Sequence, residues 1–440
     1  MTAKPRRRRT RHPRPNARAA GAPAPARRST PLDVLKALGP GIISGASDND
    51  PTTVATLAVL GATTIYGLSW LTVLLFPMLA VIQIISARVG VVARRGLQQD
   101  VRTRYGRHWG AVLLLAVLVV NLITISADLE GGAAALSLLF HVSWQWFVLP
   151  FAAAMVLLLV FGSYAALERV LKYVLLVFVA YVGAAFAAHP DWGRVLHDTI
   201  APPISFHRDY IEGALALLGT TLSSYAYVWE TIEEAEESGG QSRRRRLAHL
   251  GLAEADAGVG MFLAVAIFWF ILISTGATLG IKHQQVQTAQ DAARALQPVA
   301  GAIASYLFAI GLLASAILAV PVLAASSAYI VGEEFDWRCG LSERVRHAPR
   351  FYAVLLGTVV VGVVIAYLGI SPIQLLYWSS IAGGLGTPIS LVFLLKIARD
   401  HRLMGEETTG RVVAAVGWLT TALVTAISLY FLYQQLGRRL

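Results

Sequence analysis

Apolar residues come in long runs separated by short polar breaks, at residues 34–62, 68–92, 109–131, 144–163, 170–188, 211–237, 255–280, 299–331, 351–369, 373–397 and 411–434. Most of these runs approach or exceed the roughly 20 residues that a helix needs to cross a bilayer. The pattern predicts an all-α polytopic membrane protein with 11 transmembrane helices. Runs one and six carry polar residues in their middles and read as broken helices. The two breaks lie five spans apart, the spacing of an inverted five-plus-five repeat. Repeat one would cover about residues 33–190 and repeat two about 209–397, with an extra helix over about 411–434.

Charge sets a direction on these spans. The loops after spans two, four, six, eight and ten hold the basic clusters, among them Arg94, Arg95, Arg102, Arg104 and Arg107, Arg243 to Arg246, and Lys396, Arg399 and Arg402. The opposite loops are nearly bare, and the longest, residues 189–210, holds only Arg194 and Arg208. Cytoplasmic loops carry the excess of Lys and Arg, so the N-terminus is expected in the cytoplasm and the C-terminus outside. Arg88, near the end of span two, is expected to snorkel. Glu254 and Asp256 read as first-turn acids of span seven.

Composition removes other classes. Hydrophobic residues make up 56% of the chain and charged residues 14%, against about 25% charged in soluble domains. The net charge of +11 gathers in the first residues, which hold Lys4, Arg6 to Arg9, Arg11, Arg14, Arg18, Arg27 and Arg28 with no acid. Residues 1–32 are therefore expected to be a disordered cytoplasmic tail that touches anionic lipid rather than nucleic acid. The tail lacks the apolar run of a secretory signal peptide. The single cysteine, Cys339, permits no disulfide within the chain. No Walker-A loop, catalytic triad or His-Glu-x-x-His pattern is present, which argues against an ATP-driven pump and against an enzyme.

The candidate chemistry lies in the two breaks. The first reads Gly45-Ala46-Ser47-Asp48-Asn49-Asp50-Pro51-Thr52-Thr53. A charged side chain at that depth costs at least about 2.5–3.5 kcal/mol on insertion scales, so it marks a functional site by default. Pro51 removes a backbone donor and clashes with the preceding turn, which breaks the helix. Asp50-Pro51 is also an ordinary helix start, with Asp as N-cap and Pro at the first helical position. The two roles are compatible. The second break, Gly219-Thr220-Thr221-Leu222-Ser223-Ser224-Tyr225, offers small residues and hydroxyl oxygens within span six. Such residues also serve close helix packing. Just beyond it, Glu230, Glu233, Glu234 and Glu237 share one helical face, either as an inner vestibule for cations or as a solvated helix end.

These residues resemble a known family. Gly39-Pro40-Gly41 followed by Asp50-Pro51-Thr52-Thr53 is similar to the first-helix signature of the natural resistance-associated macrophage protein (Nramp) family of divalent-metal transporters. Asp128-Leu129-Glu130 in span three and Gly219-Thr220-Thr221 in span six look similar too. The resemblance implies the fold of the sodium-coupled amino-acid transporters, with metal held between broken helices 1 and 6 and Asp50 as a ligand. The departures matter as much. The family's Asn ligand falls on Thr53, its Met-Pro-His motif on Ser223-Ser224-Tyr225, a second His on Glu230, and a span-ten Gln on Gly386. A thioether would favour softer metals, and it is replaced by a hydroxyl. The lost histidines put proton coupling in doubt, and Gly386 is expected to widen the site. Asp128 and Glu130 lie two residues apart and cannot share a helix face closely.

The expected function is uptake of divalent cations, Mg²⁺ and also Mn²⁺, through an oxygen-lined site, since Mg²⁺ sheds its waters reluctantly. The pattern is closest to the Nramp-related magnesium transporters. The expected ligands are Asp50, Thr53, Thr220, Ser223 and, through water, Glu130. Asp48, Asn49, Asp128, Ser224, Glu230 and Gly386 are candidates to line the cavity. No cofactor is expected beyond the transported ion, and the expected location is a bacterial plasma membrane. A proton-coupled Mn²⁺ or Fe²⁺ importer and an organic-substrate symporter of the same fold are the alternatives.

Overall fold

Proline and aspartate set the first described element. Asp50 caps helix α1 (Pro51–Thr64), with Pro51 in its first turn and the Asp50 side chain accepting from the Thr53 N–H. The computed structural model describes residues 49–161, 179–239, 242–341, 343 and 345–436, all within the unit Gly39–Leu440. The basic tail, the Gly39-Pro40-Gly41 motif and Asp48 lie outside the described residues.

After α1 the chain forms α2 (Ser69–Ala93), α3 (Leu97–Tyr105), α4 (Arg107–Phe140) and α5 (Gln145–Phe161). Residues 179–187 are helical again, and α6 (Trp192–Ile200) follows. Span six is split into α7 (Arg208–Thr221) and α8 (Ser224–Glu237). Next come α9 (Arg243–Thr275), closed by one π turn at Gly276–Gly280, then α10 (Ala304–Glu334), α11 (Pro349–Ala366), α12 (Pro372–Ala398) and α13 (Arg411–Leu436). Among the described residues, seven helical segments are individually long and apolar enough to cross a membrane. α1, α7 and α8 are each 14 residues long, the half-length expected of broken spans. The secondary structure is helical throughout the described residues, in agreement with the expected fold class.

Two helices of nine residues lie where the apolar pattern leaves loops. α3 is a polar helix between spans two and three, and α6 lies within residues 189–210, started by Asp191 accepting from the Arg194 N–H at 3.1 Å. α9 starts well before the expected span, so Glu254 lies in its fourth turn and not its first. There it binds Arg88 of α2 at 2.6 Å, so that Arg88 is paired rather than snorkelling.

In a bilayer, helices gain by packing closely through small residues. α12 shows this at the break of span six. A Cβ on Gly219 would overlap the Ser380 carbonyl oxygen and the Gly384 nitrogen, both backbone atoms with no freedom to yield. The same helix ties its neighbours by hydroxyls. Ser380 Oγ lies 2.8 Å from Thr56 Oγ1 on α1, Ser379 donates to Thr124 Oγ1 on α4 at 2.9 Å, and Ser390 Oγ lies 2.5 Å from Tyr227 OH on α8. Thr387 donates to the Leu222 carbonyl at 3.0 Å, satisfying a backbone acceptor that the break releases. Thus α12 holds both broken helices in place.

Candidate cation site between the broken helices

The second break is shorter than the sequence pattern implies. Gly219, Thr220 and Thr221 remain helical, and only Leu222 and Ser223 leave the helix before α8 resumes at Ser224. That two-residue step brings the end of α7 against the start of α1. Thr220 Oγ1 lies 2.9 Å from Thr53 Oγ1 and 3.1 Å from Thr52 Oγ1. Thr52 in turn donates to Asp50 Oδ1 at 2.6 Å. Each hydroxyl has one hydrogen. Thr52 spends its own on Asp50, so Thr220 donates to Thr52 and Thr53 donates to Thr220. The hydroxyls form a directed chain, Thr53 to Thr220 to Thr52, that ends on the carboxylate.

Asp50 is 1% exposed and well supplied with donors. Besides Thr52, its Oδ1 accepts from the Thr53 N–H at 2.7 Å, and its Oδ2 accepts from Tyr225 OH at 3.1 Å. The capping role and the buried charge fall on the same residue. Every donor around it is a nitrogen or oxygen of α1 or α8. Each hydroxyl in the chain keeps lone pairs that are not used by its neighbours. A cation would meet oxygen donors on both broken helices.

The predicted residues divide into those the fold brings together and those it does not. Asp50, Thr53 and Thr220 meet directly. Ser223 stands beside them, its hydroxyl donating to the Thr220 carbonyl at 2.6 Å, so its hydrogen serves the released backbone of α7. Ser224 and Asn49 are buried next to these residues in sequence. Asp128 is fully buried, close enough to Asp50 to couple with it electrostatically, and it approaches the Thr52 backbone N–H. Neither of its oxygens has a hydrogen-bond partner among the described residues.

Glu130 and Glu230 are not among the residues that meet directly here, and one expectation, at Gly386, needs correction. Glu130 is also fully buried with no hydrogen-bond partner among the described residues. Two residues along a helix turn it about 200° away from Asp128, so the two acids face different neighbours. Glu230 is half-buried on α8, seven residues past Ser223 and so about 10 Å along the helix from the break. Gly386 does not widen the site. A Cβ there would meet Val120 Cγ2 of α4 at 2.6 Å, so the missing side chain serves the contact between α12 and α4. Thr52 and Tyr225 are the site residues that the sequence pattern misses. Thr52 follows the cap by two positions, a spacing at which a hydroxyl can reach it. Tyr225 gives no local sign of its contact across to α1.

The family described as "Natural resistance-associated macrophage protein-like" matches this chain over residues 41–434. The chain belongs to the Nramp family. A "Divalent metal cation transporter MntH" from Xylella fastidiosa (strain 9a5c) is 31% identical over 420 residues, covering 91% of this chain and 85% of that protein. The protein of the same name from Mesorhizobium japonicum is 29% identical over 409 residues, covering 91% and 88%. Among solved structures, the Eremococcus coleocola manganese transporter in complex with an aromatic bis-isothiourea substituted compound superposes with a TM-score of 0.71 at 20% identity, over 92% of this chain and 88% of that one. MhsT in complex with L-phenylalanine superposes with a TM-score of 0.60 at 15% identity, over 90% and 97%. The Nramp chain therefore shares its fold both with the manganese transporter and with MhsT.

Proposed function

We propose that this Nramp chain moves divalent cations across a bacterial plasma membrane, and that its site favours Mg²⁺, accepts Mn²⁺ and moves no proton in exchange. Family membership and the names of the curated relatives support divalent metal as the cargo. The finer reading rests on one observation. The side-chain groups that could meet a cation at Asp50 are all oxygens, from the carboxylate, three threonine hydroxyls and Tyr225 OH. Oxygen donors suit hard cations, and Mg²⁺ keeps several waters in such a site. Asp50 supplies the main charge, with Thr53, Thr220 and Ser223 around it. Asp128 takes the role of second carboxylate expected of Glu130, because it lies nearest Asp50. The positions where the family's histidines fall hold Tyr225 and Glu230, so no imidazole stands ready to carry a proton.

Membrane potential alone supplies about 2.3 kcal/mol per charge per 100 mV, twice that for a divalent ion. Alternating access moves one bundle against the rest around the fixed site, with the N-terminus in the cytoplasm. The solved manganese transporter of the same fold favours a second reading, in which Mn²⁺ is the main cargo. Proteoliposomes separate the two when Mg²⁺ and Mn²⁺ uptake are followed together with internal pH. The expected result is uptake of both ions at constant pH, reduced more than about tenfold by Asp50→Ala. Manganese uptake with acidification and no magnesium uptake reverses the assignment.

A further inference from the structure

A pocket of about 690 Å³ lies far along the chain from the broken helices, where α12 ends and α13 begins. Lys396, Arg399 and His401 line one side, and Thr409, Arg411 and Trp418 line the other. Lys396, Arg399 and Arg411 are all exposed, and none has an ion-pair partner among the described residues. The acid between them in sequence, Asp400, is engaged elsewhere, paired with Arg104 and capping the Arg402 N–H. Glu406 and Glu407, in the same connection, do not line the pocket. Lys396 lies 5.7 Å from the Tyr105 ring, which orients it without neutralising it.

Two further features distinguish this pocket from a solvated basic loop. Thr409 is only 6% exposed, its N–H is held by the Ala398 carbonyl at 3.0 Å, and its hydroxyl has no hydrogen-bond partner among the described residues. The Thr409–Ala398 bond ties the connection to the end of α12 and so fixes the wall of the pocket. The first turn of the 26-residue helix α13 also forms part of the wall, at Arg411. Helix starts favour anions. On the outer side Trp418 is 37% exposed, and Val412 and Leu419 beside it are 78% and 71% exposed. The pocket therefore joins a cationic wall to an apolar flank at the level where tryptophan sits in membranes.

We infer that this pocket binds the phosphodiester of an anionic phospholipid, with the three basic side chains on the phosphate and the acyl chains lying along α13. Free phosphate shares the headgroup chemistry but has no use for the apolar flank. The inference is independent of which ion Asp50 holds. It also differs from the lipid contact expected of the N-terminal tail, since it needs a built pocket on span eleven.

Native mass spectrometry of the full chain in detergent, titrated with palmitoyl-oleoyl phosphatidylglycerol or the matching phosphatidylcholine, tests it. The expected result is preferential retention of phosphatidylglycerol, weakened about fivefold by Arg399→Gln and on the order of a hundredfold by the Lys396→Gln, Arg399→Gln, Arg411→Gln triple variant. Inorganic phosphate at about 10 mM should leave the lipid bound. If the triple variant folds poorly, Arg399→Gln against Arg399→Lys carries the test, with retention restored by lysine. Equal retention of phosphatidylcholine, unchanged retention in the variants, or displacement by inorganic phosphate each overturns the inference.

Discussion

Asp50 does two jobs with one carboxylate. It starts α1 and receives the hydroxyl chain that Thr220 closes from the other broken helix. Removing the Thr220 hydroxyl leaves Thr53 without its acceptor and Thr52 without its donor, while the cap on α1 stays intact. Thr220→Val should therefore lower metal uptake on the order of tenfold with little change in melting temperature, and Thr220→Ser should restore it. A second prediction concerns Cys339, outside the spans. Burial, and then Glu333 and Glu236, push its thiol up to about 12. It is protonated at pH 8, so iodoacetamide should label it far more slowly than a free thiol, with the rate still rising at pH 10. Asp50, Thr53 and Thr220 were legible in the sequence because a carboxylate and hydroxyls inside apolar runs demand a reason. The role of Tyr225 was not legible, since its partner lies 175 positions away. Gly386 was misread for a related cause: one sequence does not say whether an absent side chain leaves room for an ion or for a neighbouring helix.

At the scale of elements, the apolar pattern located the spans that lie within the described residues, and the break of span six, because bilayer thickness fixes how long an apolar run must be. It missed α3 and α6, whose polar sequences carry no such signal, and it placed the break of span six over seven residues where two suffice. The tight step depends on Gly219. Gly219→Ala would force its methyl onto the backbone of α12, an overpacking that costs about 1–3 kcal/mol. The variant should melt earlier in detergent and lose uptake together with stability, unlike Thr220→Val. α3 makes a separate prediction. Asp100 on this helix is fully buried, both its oxygens lack hydrogen-bond partners among the described residues, and burial raises its carboxyl to about 7 against the opposing pull of Arg95. Its pKa in the folded state lies above the ordinary value of 3.8. The carboxyl thus favours folding below pH 4, and that contribution is lost as pH rises through 7. Asp100→Asn should be more heat-stable than the wild type at pH 8, with the gap closing as the pH falls towards 4.

Across the whole molecule, one end of the helices carries the basic clusters, and at the other the few arginines are balanced by acids, as in the pairs Arg194–Asp198, Arg208–Glu212 and Arg294–Asp291. α3 belongs to the basic end, where Arg102 binds the Glu333 carbonyl at 2.9 Å and the Asp336 carboxylate. Asp336 is held below the usual carboxylate range by the Arg102 hydrogen bond. So part of the basic cluster is already used inside the fold, and only the remainder can orient the chain by attraction to anionic lipid. Lys396, Arg399 and Arg411 remain unpaired among the described residues at that end and should contribute most for their number. If all 11 expected spans cross the membrane, the two termini lie on opposite sides. Green fluorescent protein fused before Met1 should therefore fluoresce, and alkaline phosphatase fused after Leu440 should be active. The same phosphatase fused in the connection at Gly405 should be inactive. Replacing Lys396, Arg399 and Arg411 by Gln removes about 1 kcal/mol each of lipid attraction, yet four basic clusters remain, so the fusion pattern should not invert. Activity at Gly405 in the unmodified chain would instead place the lipid pocket in the outer leaflet and reverse the direction assigned to every span.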